Sequence, residues 1–157
     1  MLKETVYKQG KQGKEAAKKL AVISEEQKNK ALLAMAKALR ESQHEIIAAN
    51  KLDLEEGARK GQSRALLDRL LLDSGRISEM AEGLEAIMAL PDPVGEVTSM
   101  WTRPGGLQIG KVRVPLGVIG IIYESRPNVT VDAAGLCLKT GNAVILRGGS
   151  EAFQSNK

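Results

Sequence analysis

Two short apolar runs at one end of the chain limit the fold more than anything else in it. Pro115-Leu116-Gly117-Val118-Ile119-Gly120-Ile121-Ile122-Tyr123 and Ala143-Val144-Ile145-Leu146-Arg147 are nearly continuous in apolar residues, the pattern of strands covered on both faces in a parallel sheet. Between them Val131, Ala134, Gly135 and Leu138 share one helical stripe that ends at Gly141-Asn142, where a left-handed residue commonly closes a helix. Strand, helix and strand in about 30 residues make a crossover unit. The fold class expected is therefore α/β, with N-terminal helices, a projecting β-hairpin and the first half of a doubly wound, Rossmann-like parallel sheet. Two parallel strands do not make a covered sheet, so this reading expects the chain to be the front part of something longer.

The preceding residues divide in two. Through about residue 93 the apolar period is helical. Gly10 and Gly13 each weaken the opening segment by roughly 1 kcal/mol relative to Ala. Ser24-Glu25-Glu26-Gln27 has capping-box spacing, and it predicts a helix running to about Ala49 with Leu32, Met35, Ala36, Leu39 and Ile46 inward. Shorter helices are expected after Asn50 and after Ser63. A final one begins near Ser74 and buries Ile77, Met80, Ala81, Leu84, Ile87 and Met88 before Pro91 and Pro93 stop it. From residue 94 the period becomes that of strands. Val97 to Arg103 and Leu107 to Val114 flank Pro104-Gly105-Gly106, a turn sequence, and predict a hairpin. The expected divisions are thus 1–93 helical, 94–114 hairpin and 115–157 the start of a doubly wound α/β domain, incomplete at the C-terminus.

Composition matters mainly for what it excludes. With 157 residues, 43% hydrophobic, the chain can bury a core without disulfides or a structural metal. One cysteine and one histidine rule out an internal disulfide and a Cys/His zinc site, and they favour a reducing compartment, the cytoplasm. No apolar stretch approaches the roughly 18 residues of a membrane span. The formal charge of +4 is concentrated in residues 1–20, which hold six Lys and two Glu and leave the remainder neutral. That segment has no interleaved aromatics or arginines, so it reads as a solvated helix face and not as a nucleic-acid surface. His44 falls beside Lys37 and Glu41 on the polar face of its helix and reads as solvated.

Gly105-Gly106-Leu107-Gln108-Ile109-Gly110-Lys111 matches most of a P-loop, but Val112 stands where Ser or Thr must hold magnesium, and the run leads from a turn into a strand. Gly117 and Gly120 lie inside a strand and form no dinucleotide fingerprint. More informative are the segments at the carboxyl ends of the parallel strands, where open α/β sheets bind ligands. The first is Glu124-Ser125-Arg126-Pro127-Asn128. The second is Arg147-Gly148-Gly149-Ser150-Glu151, in which the glycines admit a ligand to the backbone, Ser150 suits a helix cap and Arg147 supplies positive charge. Such a set favours an anion such as phosphate. A plain glycine turn with a surface arginine fits the spacing equally well.

The run from Arg113-Val114-Pro115 through Arg126-Pro127-Asn128-Val129-Thr130-Val131-Asp132, continued by Gly141-Asn142 to Arg147-Gly148-Gly149-Ser150-Glu151, closely resembles the gamma-glutamyl phosphate reductase family, within the aldehyde dehydrogenase superfamily. Ala48-Ala49-Asn50-Lys51-Leu52-Asp53 agrees, so the resemblance extends over essentially the whole chain. It implies an NADPH-dependent reduction of L-glutamate 5-phosphate to the 5-semialdehyde and phosphate, in proline biosynthesis. It further implies a homo-oligomer built on the hairpin, and glutamate 5-kinase as a partner. Asn128 becomes the candidate oxyanion donor, with Arg126 either taking that place or binding a substrate anion. Arg147 resembles the position that contacts the cofactor ribose, and with Gly148, Gly149, Ser150 and Glu151 it forms the candidate NADP(H) segment. The resemblance implies that the family's nucleophilic cysteine lies beyond these residues, and Cys137 is no substitute, because it sits in an apolar helix stripe that disfavours a thiolate. Such a chain is expected to be inactive alone. The alternative is a non-catalytic cofactor-binding or oligomerisation module derived from the same family.

Overall fold

A computed structural model describes residues 2–157. Five helices come first: α1 (Leu2–Leu20), α2 (Glu25–Glu41), α3 (Gln43–Arg59), α4 (Arg64–Leu70) and α5 (Ser74–Ala89). A hairpin, β1 (Val97–Thr102) and β2 (Gln108–Val112), leads to β3 (Val118–Ile122), α6 (Asn128–Lys139) and β4 (Ala143–Arg147), followed by one 3-10 turn, Ser150–Ala152.

The core lies between α2, α5 and α6. Leu32 and Ala36 of α2 pack against Ala81, Leu84 and Ile87 of α5, with Val131 and Leu138 of α6 closing one side. A second cluster, Leu72, Ile77 and Met80, extends this core toward Ile46 and Ile47 of α3. Close approach of α6 to α5 depends on Gly135, where a Cβ would fall 2.6 Å from a methyl of Leu84. Ser24 caps α2 with the capping box read from its sequence.

The helix expected to reach Ala49 is interrupted. Ser42 sits at φ −90°, ψ 11°, which ends α2 and starts α3. The shift in direction lets Ile46 and Ile47 join the second cluster. Asn50 accordingly stands in the middle of α3 and precedes no new helix. Ser63 does cap a short helix, accepting a hydrogen bond from the Leu66 N–H.

The crossover is as expected: β3 and β4 pair in parallel, Val118 opposite Ala143 through Ile122 opposite Arg147. Asn142 locks the entry, its Oδ1 accepting from the Gly117 N–H at 2.8 Å, with Gly117 at φ 114°. Helix α1 lies on this pair, and Gly13 permits the approach, because a Cβ there would come within 3.2 Å of Val118. Coverage is nonetheless uneven. β4 is buried or half-buried until Arg147, whereas β3 alternates between half-buried and exposed, with Ile122 78% exposed. Helices α1 and α6 both reach β4, while β3 has α1 alone as a principal partner.

The hairpin pairs antiparallel, with a register shift between Val97 and Ser99. Every residue of β1 is exposed. Gly105 and Gly106 carry the turn at φ 96° and 85°, conformations that are open to glycine at no steric cost.

Two lysines lie in the interior. Lys28 is 1% exposed and donates to Asp92 Oδ2 at 2.6 Å. Lys139, equally enclosed, donates to Glu25, Asn29 and the Met88 carbonyl. Burial pushes the Asp92 carboxyl up, but the Lys28 hydrogen bond, the Val94 N–H and the nearby ammonium charges outweigh it and hold the group below its ordinary value. Among the described residues no helix is long and apolar enough to cross a membrane.

Candidate functional site

The segments following β3 and β4 lie side by side because Ile122 and Arg147 are register partners, and the Tyr123 N–H donates to the Arg147 carbonyl just beyond the ladder. Ser125, in the first segment, takes φ 48°, a left-handed conformation that costs a non-glycine residue about 1 kcal/mol or more. Glu151 holds it there. One Glu151 carboxylate oxygen accepts both the Ser125 N–H, at 2.5 Å, and the Ser125 hydroxyl, at 3.0 Å. Burial raises the Glu151 carboxyl, while hydrogen bonds from its own N–H and from Ser125, with the charge of Arg147, bring it below its usual value. Glu151 is therefore ionised at neutral pH and ties the two segments together.

Residues 153–156 fold back beneath this tie. Tyr123 donates its hydroxyl to Thr130 at 2.5 Å, and Thr130 in turn donates to Asn156 Oδ1 at 2.6 Å. From the other side, Asp53 accepts the N–H groups of Gln154 and Ser155 and the Ser155 hydroxyl. Asn50 donates to the Leu70 carbonyl and to Ser155, and it accepts the Leu72 N–H. Two buried polar residues of α3 thus fix the segment after β4 and the connection after α4.

This packing bears on the residues singled out from sequence. Arg147 and Arg126 are both exposed, at the carboxyl ends of β4 and β3, and the side chain of neither has a hydrogen bond or ion pair among the described residues. At Gly148 a Cβ would meet Asn156 Nδ2 at 2.6 Å, and at Gly149 it would collide with the Glu151 carboxylate. A side chain at either glycine would have to displace the Asn156 amide or the Glu151 carboxylate. Gly149, and not Ser150, occupies the cap position of the 3-10 turn, with no side-chain hydrogen bond there; Ser150 is left exposed. Asn156 Nδ2, buried beneath Gly148, has no partner. An exposed arginine at the carboxyl end of a parallel strand, beside a glycine pair, fits a phosphate-bearing nucleotide.

Asn128 opens α6 and is exposed, its Nδ2 donating to Asp132 Oδ2 at 3.2 Å. It lines a cleft of about 330 Å3 together with Arg69 at the end of α4, Leu71 and Leu72 in the connection that follows, Arg76, Glu79 and Met80 of α5, and Asp132 of α6. Arg126 is not among the lining residues. The sequence reading did not anticipate Arg69, Arg76 or Glu79, since helix periodicity places them only on polar faces. Cys137 is 5% exposed, and burial pushes its thiol up, away from a reactive thiolate.

No family model matches the chain. Over 152 residues it is 70% identical to gamma-glutamyl phosphate reductase of Moorella thermoacetica, a match that covers 97% of this chain and 36% of that protein. The corresponding protein of Heliobacterium modesticaldum is 69% identical over 94% of the chain. The chain thus spans about a third of the length of the curated relatives it matches, and it corresponds to their N-terminal part. Among solved structures, gamma-glutamyl phosphate reductase of Thermotoga maritima superposes with a TM-score of 0.93 at 47% identity, over 96% of this chain and 36% of that one. An NAD-dependent benzaldehyde dehydrogenase from Corynebacterium glutamicum has a TM-score of 0.61 at 20% identity, over 92% of this chain and 29% of the other. The last likeness is one of fold: the α/β class read from the crossover is shared with that dehydrogenase, as the resemblance implied.

Proposed function

We propose that this chain is the N-terminal part of a gamma-glutamyl phosphate reductase, contributing the cofactor-side segments and one wall of the substrate cleft to the NADPH-dependent reduction of L-glutamate 5-phosphate to the 5-semialdehyde and phosphate in proline biosynthesis. The observation that carries this reading is the Glu151–Ser125 tie, which fixes two ligand-facing segments at the carboxyl ends of adjacent parallel strands.

In this role Arg147 binds the phosphorylated ribose of NADP(H), which supplies the hydride when bound. Gly148 and Gly149 keep the backbone beside it low. Asn128, released from Asp132, donates its amide hydrogens to the oxygen that becomes negative as the acyl group is attacked and reduced. Arg126 stands by the first segment as a cation for a substrate anion. The nucleophile is not Cys137, whose buried thiol lies in α6, so turnover requires residues beyond those described. The exposed hairpin, with Met100 and Trp101 on β1, serves assembly of copies of the enzyme, and glutamate 5-kinase is the partner whose product it consumes.

Titrating the chain with NADPH and NADH, followed by nucleotide fluorescence, tests the cofactor assignment. NADPH should bind more tightly, and Arg147→Ala should weaken NADPH by about tenfold, the worth of one charge-assisted contact. Equal affinity for the two nucleotides, or an unchanged NADPH affinity in the variant, would remove Arg147 from the site.

A further inference from the structure

The cleft between the end of α4, the first turns of α5 and the start of α6 carries both signs of charge. Arg69 and Arg76 are its basic lining residues, and Glu79 and Asp132 the acidic ones. The two arginines differ in what they are free to do. Arg76 is committed to the chain itself, donating to the carbonyls of Asp68 and Leu71 and to the Asp68 carboxylate, and so bracing the α4–α5 connection. Arg69 has no side-chain hydrogen bond or ion pair among the described residues, nor has Glu79. Asp132 accepts only from Asn128, the proposed oxyanion donor, on one of its two oxygens. At about 330 Å3 the cleft lies within the range of small-molecule sites, roughly 300–1,000 Å3, and Leu71, Leu72 and Met80 supply its apolar lining.

A cation and an anion with unused capacity, lining one cleft together with apolar side chains, complement a zwitterion. We infer that this cleft binds the α-amino acid head of the substrate, with Arg69 pairing the α-carboxylate and Asp132, aided by Glu79, taking the α-ammonium. The inference rests on the glutamyl reading above and deepens it: substrate recognition would come from α4, α5 and α6, and cofactor recognition from the Arg147 segment. Arginine suits the task because its fork can pair a carboxylate through two parallel hydrogen bonds. Asn128 then belongs to both jobs, since its amide is released toward the reacting oxygen when an ammonium replaces it on Asp132.

The test is an amide-shift titration of the isotope-labelled chain with L-glutamate, glutarate and 4-aminobutyrate, which differ by loss of the ammonium or of the α-carboxylate. L-glutamate should shift the amides of residues 69, 76–80 and 128–132 and bind several-fold more tightly than either analogue. Arg69→Ala should weaken L-glutamate about tenfold, and Arg69→Lys should recover part of the loss. Asp132→Asn should erase the preference for L-glutamate over glutarate, which a merely structural role would leave intact. Unmoved shifts at high L-glutamate, equal binding of all three compounds, or an unchanged affinity in Arg69→Ala would each overturn the inference. NADPH read at residues 147–151 in the same samples separates the two claims. If the nucleotide binds and L-glutamate does not, only the amino acid cleft falls; the reverse result removes the cofactor assignment and keeps the cleft.

Discussion

The α2–α5–α6 layer and the β1–β2 hairpin both present large apolar side chains, with opposite outcomes. In the layer Leu32, Ala81 and Leu84 are at most 1% exposed. In the hairpin Met100 is 65% and Val112 52% exposed, and Trp101, opposite Ile109, is exposed as well. The difference is one of partners. A helix stripe finds a second stripe within the same chain, while a two-stranded ribbon buries little of either face and is marginal by itself. Stability should therefore reside in the layer, and the hairpin should be nearly neutral to the fold.

The sharpest break of that contrast is at the buried ion pair bordering the layer. Asp92→Asn leaves the Lys28 ammonium enclosed without its counter-charge and should cost about 3–5 kcal/mol, read from urea unfolding. In the unaltered chain the folded carboxyl of Asp92 lies below its unfolded value. Its contribution is therefore complete above the ordinary aspartate range and fades as pH falls through the folded value. The variant should lose that acid-limb dependence. Next comes Gly135→Ala, whose methyl must displace Leu84 or Ile87 from a closed core; about 1–3 kcal/mol is expected by the same measurement. The smallest effect should come from Trp101→Ala, within about 0.5 kcal/mol. A loss above 2 kcal/mol there would show that the hairpin is part of the fold's foundation and end the comparison.

What was legible in the sequence follows the same division. Helix α5, the hairpin and the parallel crossover stand where their periods and punctuation put them, because each pattern has a single compatible geometry. The interruption at Ser42 was not legible: serine is tolerated in helices, and only the demand that Ile46 and Ile47 face a second cluster turns the chain there. Buried polar residues were missed although a signal existed. Lys28 precedes Leu32 by four residues, and Asn50, Asp53 and Gly57 continue the Ile46 stripe at spacings of four, three and four. Read as a face, and not by polarity, these positions point inward. At the site, chain order brought Arg126 and Arg147 to neighbouring strand ends. It could not reveal Arg69, which lines the same cleft as Asn128, assembled from three helices, nor that Glu151 is engaged with Ser125.

The grip of Asp53 on residues 154 and 155 spans 102 positions of sequence. During synthesis α3 emerges from the ribosome long before its clasp exists, and so its carboxylate must stay hydrated while α4, α5 and the whole crossover are made. Closure of so wide a loop comes late in folding and rewards only a chain whose intervening parts are already in place. The acid on α3 thus works as a checkpoint in time: it sets the turn after β4 only once the helices and strands between them are in place.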